Sequence, residues 1–326
     1  MRALRFHHFG EPADVLRLDH LLRPDPAPGQ VRVRLTHRSI NPADLATVRG
    51  RYGRLPALPA VGGHEGTGVV EALGDGVDPA LGGARVVVLG TAPTWQEAVV
   101  VDAADVLPVP EALPDEAAAQ LFVNPLTAYL LLEAAGAAPG DWLVQSAGAS
   151  AVARIVTAMA RARGLRVVSV VRDDTHRAAL EALGAAVVVA DGRSAEAREA
   201  IAAHTGPEGA RAALDAVAGE TGSLLLGALG EGGVHLVYGA LSGRPLPVAP
   251  RHLLYRRLTV RGVWRTRWFA ETARAESRPV LERLAADAAR GAFPLPVAAT
   301  FDLADGAEAV RAAEARGRFG KVLLTG

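Results

Sequence analysis

Val31, Val33 and Leu35 alternate with Arg32 and Arg34, the period-two rhythm of a strand buried on one face. Pro24, Pro26, Pro28 and Gly29 punctuate the turn before it. Met1–Phe6, Val86–Leu89 and Ala98–Val101 read as further short strands, so the first part of the chain, to about residue 115, is rich in strands and turns. The pattern changes at Leu113-Pro114-Asp115, where Asp115 is placed to cap a helix running to Gln120. From there short apolar runs alternate with helical stretches. Strands are expected at Leu143–Gln145, Val167–Val171, Ala186–Val189, Ala212–Leu214 and Val234–Val237, with helices at Ala151–Arg163 and Thr175–Leu183. Continuous apolar strands interleaved with helices imply a parallel sheet covered on both faces, a doubly wound α/β fold. Leu258–Val263 is a candidate last strand. A tail of helix (Ser277–Arg290), strand (Val297–Phe301), helix (Asp305–Ala315) and strand (Lys321–Leu324) is expected to pack back on the first part. The domains so drawn are 1–115, 116–264 and a returning tail, 265–326.

Composition changes the picture in two ways. The chain of 326 residues balances 35 basic against 35 acidic side chains, which gives no electrostatic reason to expect nucleic acid or an acidic membrane. No apolar run reaches the roughly 20 residues of a membrane span. There is no cysteine, so neither a disulfide nor a thiolate metal site can be built, and a cytoplasmic setting is the default.

The first strand–helix junction of the α/β region reads Gln145-Ser146-Ala147-Gly148-Ala149-Ser150-Ala151-Val152. Small residues let backbone approach a pyrophosphate, and the helix start offers free N–H groups and a positive dipole end. Gly148, Ser150, Ala151 and Val152 are the candidate cofactor contacts; a tight turn of small packing residues is the competing reading. Arg172 ends the second strand about 24 residues beyond Gly148. An arginine there accommodates the 2′-phosphate of NADP, so NADPH is favoured, although Asp173 and Asp174 follow and either can cap the next helix. Tyr238-Gly239 follows a strand at its carboxyl end, the edge where open α/β sheets bind ligands, or is an ordinary turn.

Gly62-Gly63-His64-Glu65-Gly66-Thr67-Gly68 resembles a signature of the medium-chain dehydrogenases/reductases, in which the histidine commonly helps bind a catalytic zinc. Without cysteine the usual zinc set cannot be assembled, so no metal is expected and His64-Glu65 is read as holding backbone. Ser39-Ile40-Asn41-Pro42-Ala43-Asp44, Arg49-Gly50-Arg51-Tyr52, Leu58-Pro59-Ala60-Val61-Gly62-Gly63 and Asn124-Pro125-Leu126-Thr127-Ala128-Tyr129 together resemble the zinc-free, mitochondrial-type 2-enoyl thioester reductases of that family. Gly262-Val263-Trp264, Trp268 and Phe319-Gly320-Lys321 extend the resemblance to the end of the chain.

The resemblance implies a GroES-like catalytic domain joined to a Rossmann domain, and NADPH-dependent reduction of a trans-2-enoyl thioester carried by CoA or acyl carrier protein. Tyr52 takes the position assigned to proton donation or carbonyl polarisation, a role suited to a phenol, whose ordinary pKa is about 10. Asn41 falls where a zinc enzyme places a cysteine and offers an amide that binds substrate or ribose; an Asn-Pro turn is the structural alternative. Asn124, Thr127, Phe319 and Lys321 are implied cofactor contacts, and Trp264 and Trp268 implied substrate contacts, with core packing or an exposed strand start as alternatives. A homodimer is implied. The rival functions are NADPH:quinone reduction and, from another class, a non-catalytic dinucleotide-binding protein.

Overall fold

The computed structural model describes residues 1–90, 92–190 and 194–326. The chain divides into two compact units: residues 1–123, 266–291 and 295–326 form the first, and 124–265 with 292–294 the second. Among the described residues no helix is long and apolar enough to cross a membrane.

The first unit is built around the strand Gln30–Ser39, whose alternation buries Val31, Val33 and Leu35. It pairs antiparallel with Gly66–Leu73, Ala98–Asp102 and Lys321–Thr325. Val297–Asp302 pairs parallel with Lys321–Thr325, so the end of the chain is a strand of this sheet. Gly68 is dictated by close approach: a Cβ there would lie 2.1 Å from the Arg34 carbonyl oxygen. Val70, Val86, Val88, Val99 and Val106 close one core over the central strand, and Phe6, Ile40, Leu45, Trp95, Leu303 and Leu324 form a second. Arg38 is fully buried and donates to the carbonyls of Gln96, Leu35 and Gly326. Burial pulls its pKa down to about 9, so it remains a cation at neutral pH.

In the second unit six parallel strands lie in the order Ala185–Val189, Arg166–Val171, Trp142–Gln145, Ala210–Asp215, Leu229–Val237, Thr259–Gly262. Numbered along the unit this is 3-2-1-4-5-6, the dinucleotide-binding order, which reverses between Trp142–Gln145 and Ala210–Asp215. Val144, Val168, Val170, Ile201, Leu224 and Leu225 are buried in its core.

Local differences from the sequence reading have identifiable causes. Pro114, not Asp115, occupies the cap of the helix Asp115–Ala118. The Asp115 carboxylate instead accepts from Thr36 Oγ1 at 2.8 Å and from Arg85 at 2.6 Å. The helix expected from Thr175 starts at Arg177, because the Thr175 N–H is taken by Asp173 Oδ1 at 3.1 Å. Asn124–Ala135 and Ala195–Thr205 are helices that the periodicity did not reveal.

Candidate active site

In the first unit the helix Pro42–Val48 starts at Asn41, with proline in its first turn, where a missing N–H costs nothing. The Asn41 N–H donates to Asp44 Oδ2 at 2.6 Å, the reciprocal half of a capping box. Asp44 is buried, and its other oxygen accepts a short hydrogen bond from His64 Nδ1. A carboxylate only accepts, so Nδ1 carries the proton. The His64 ring meets Tyr52 edge-on, centroids 5.3 Å apart at 63°. The Tyr52 hydroxyl lies 3.5 Å from Thr266 Oγ1.

The Asn41 side chain is held at both ends. Its Nδ2 donates to Glu65 Oε1 at 2.9 Å, and its Oδ1 accepts a short hydrogen bond from Lys321 Nζ, which also donates to Ile40 O at 3.1 Å. Glu65 Oε2 accepts from the N–H groups of Phe122 and Val123 at 3.1 and 2.7 Å. All three side chains are buried. Burial drives the Glu65 carboxyl above its ordinary range; the Lys321 charge, the Asn41 amide and the Val123 N–H oppose this without cancelling it. Lys321, expected beside the cofactor, therefore stands in the same cluster as Asn41. Phe319 is half-buried two residues before it.

This cluster does not suit zinc. The chain has no thiolate to offer, and among the described residues no three His, Asp or Glu side chains converge. The Lys321 ammonium adds a positive charge where a dication would need negative donors.

In the second unit Gly148 lies just beyond the strand Trp142–Gln145, at the switch point. A Cβ on it would come 2.6 Å from Ser169 Cβ, so only glycine lets the loop lie on the second strand. Ser150 caps the 12-residue helix Ala151–Ala162, its hydroxyl accepting from Ala153 N at 3.2 Å. Ala151 and Val152 form the first turn of that helix and are half-buried. The helix start, the bare loop and Arg172, exposed at the tip of the second strand, suit a phosphorylated dinucleotide.

Tyr238 and Gly239 stand at the end of the fifth strand. Burial, reinforced by the Asp215 charge, raises the Tyr238 phenol above its usual range, against the opposing influence of the Ser150 side chain. Asn124 and Thr127 share one face of the first turn of Asn124–Ala135, Asn124 buried and Thr127 half-buried. Trp264 is 39% exposed, and Trp268 is half-buried on the helix Arg265–Glu271.

Periodicity and spacing missed the buried carboxylate that ties the switch point together. Asp215 Oδ1 accepts from Ser146 Oγ at 2.8 Å and from the N–H groups of Val217 and Ala218 at 2.9 and 3.0 Å. Its Oδ2 accepts from His235 Nε2 at 3.1 Å. Burial alone would raise the Asp215 pKa, but the His235 ring and the two N–H groups hold it below the ordinary range.

The family model described as the alcohol dehydrogenase GroES-like domain matches residues 27–111, and that described as zinc-binding dehydrogenase matches residues 151–286. The chain is 33% identical over 313 residues to the mitochondrial enoyl-acyl-carrier-protein reductase of Bos taurus, covering 94% of this chain and 83% of that protein. A solved structure from Bacillus thuringiensis, described as an NADPH:quinone reductase, is 31% identical with a TM-score of 0.92 over 100% of this chain and 98% of its own. A mycobacterial protein solved with NADPH is 28% identical, with a TM-score of 0.90 over all of both chains. The chain belongs to the medium-chain dehydrogenase/reductase family of oxidoreductases, in its enoyl reductase and quinone reductase-like branch.

Proposed function

We propose that the protein reduces the α,β double bond of 2-enoyl thioesters with NADPH and without zinc. The observation that carries this reading is Tyr52. Within 51–59 every other residue is exposed, yet Tyr52 is drawn inward against His64 and Thr266. A phenol so held suits charge that develops on a thioester carbonyl, and no Lewis acid is required of the chain. Similarity to enoyl-acyl-carrier-protein reductases over nearly the full chain supports the substrate class.

Gly148, Ser150 and the start of Ala151–Ala162 would hold the pyrophosphate, and Arg172 the 2′-phosphate. Held there, the dinucleotide would serve as the hydride donor to the β-carbon. Tyr52 stabilises the negative charge passed to the thioester oxygen and gives a proton, so that the α-carbon ends protonated. Asn41, clamped by Lys321 and Glu65, offers a fixed amide edge rather than a metal ligand.

Quinone reduction is the second reading, favoured by the likeness to the Bacillus thuringiensis structure. An acceptor panel separates the two: enoyl-CoAs of several chain lengths and simple quinones, each with NADPH and with NADH. The proposal expects enoyl-CoA turnover with NADPH to exceed every quinone rate in kcat/KM. Quinone turnover alone would reject it.

A further inference from the structure

We infer that His64 is the positioning residue for Tyr52, and that the buried Asp44 carboxylate fixes His64 for this purpose. The inference rests on the proposed role of Tyr52 and adds the device that aims it.

Tyr52 lies in a segment, 51–59, with no helix or strand of its own until Ala60, and the residues around it face solvent. Such backbone does not by itself hold a ring in one direction. The fixed points lie behind it. Asp44 is held at the third position of its helix, and each of its oxygens has a separate donor, Asn41 N on one and His64 Nδ1 on the other. Both the tilt of the carboxylate and the plane of the imidazole are thereby set. The His64 side chain is only 15% exposed, and its ring meets the Tyr52 ring edge-on. The Tyr52 hydroxyl also lies 3.5 Å from Thr266 Oγ1. Order therefore passes from the helix cap through Asp44 and His64 to the phenol. In this chain the histidine of the Gly-His-Glu segment serves an aromatic side chain, and its contact acts through shape rather than through a change of charge.

The test is a double-mutant cycle with crotonyl-CoA at saturating NADPH, using His64→Ala, Tyr52→Phe and the double variant. Positioning predicts that His64→Ala lowers kcat by about 10- to 100-fold, as misplacement of a reacting group does, with KM for NADPH unchanged. In the Tyr52→Phe background the same change should alter kcat by less than about twofold, because coupled residues are not additive. His64→Phe, which restores a ring edge, should recover much of the loss. Losses that multiply in the double variant would overturn the inference and leave the role of Tyr52 standing. A Tyr52→Phe protein as fast as wild type would instead remove the functional reading. A second arm needs no turnover: 3-fluorotyrosine at position 52, followed by fluorine NMR in wild type and His64→Asn. The resonance should move and sharpen toward that of a mobile tyrosine; an unchanged line overturns the positioning role.

Discussion

Lys321 Nζ donates to Asn41 Oδ1, joining two residues 280 positions apart into one buried pair. The bond fixes which end of the amide faces which partner, since Nδ2 must then serve Glu65. An ammonium and a carboxylate, each costly to bury, share one neutral bridge.

That arrangement gives a pH prediction. The folded-state pKa of Glu65 is raised above its ordinary 4.5. Above 4.5 the native state therefore binds more protons than the unfolded chain, and the stability from this group falls as pH rises through the window. Lys321→Met removes the charge that opposes the shift, so the window extends upward. Thermal unfolding should show a penalty of about 3 kcal/mol near pH 8 that shrinks toward pH 5. A penalty equal at both values, or larger in acid, would contradict the assignment of Lys321 to this cluster.

Gly148→Val places carbon where Ser169 Cβ already stands, 2.6 Å from the new Cβ. The loop must lift from the second strand, an overpacking cost of about 1–3 kcal/mol. NADPH affinity, followed by its fluorescence on titration, should fall by about tenfold or more. Wild-type affinity in this variant would mean that the loop does not carry the pyrophosphate.

Arg172 at the second strand tip is the proposed reader of the 2′-phosphate. Arg172→Ala should weaken NADPH by about 10- to 100-fold, the value of a charge-assisted hydrogen bond, and leave NADH binding unchanged. Equal loss for both dinucleotides would assign Arg172 to general folding.

What could be read from the chain alone follows the range of each interaction. The Val31–Leu35 alternation and the apolar strands at 143–145 and 167–171 are local signals, and they carried the fold. The helix Ala195–Thr205 was not legible: its buried positions are Ala197, Ile201 and Thr205, and one large apolar residue makes no stripe. Asn41-Pro42-Ala43-Asp44 did hold an overlooked clue, the three-residue spacing of a capping box. Asp215 was hidden because its partner Ser146 is 69 residues away, and the contact exists only once the first and fourth strands lie side by side. The clamp on Asn41 is hidden for the same reason. Asn41 and Tyr52 were reached through resemblance to a family, and spacing alone would have left both as loop residues.

The work proposed for the Tyr52 phenol is that which a metal would otherwise do. Its most direct measure is kcat/KM for crotonyl-CoA with NADPH in wild type and Tyr52→Phe, which differ by one oxygen. The account predicts a fall of about 10²-fold or more, with NADPH affinity and quinone reduction largely retained. Equal kcat/KM for the two proteins on the enoyl thioester would contradict it.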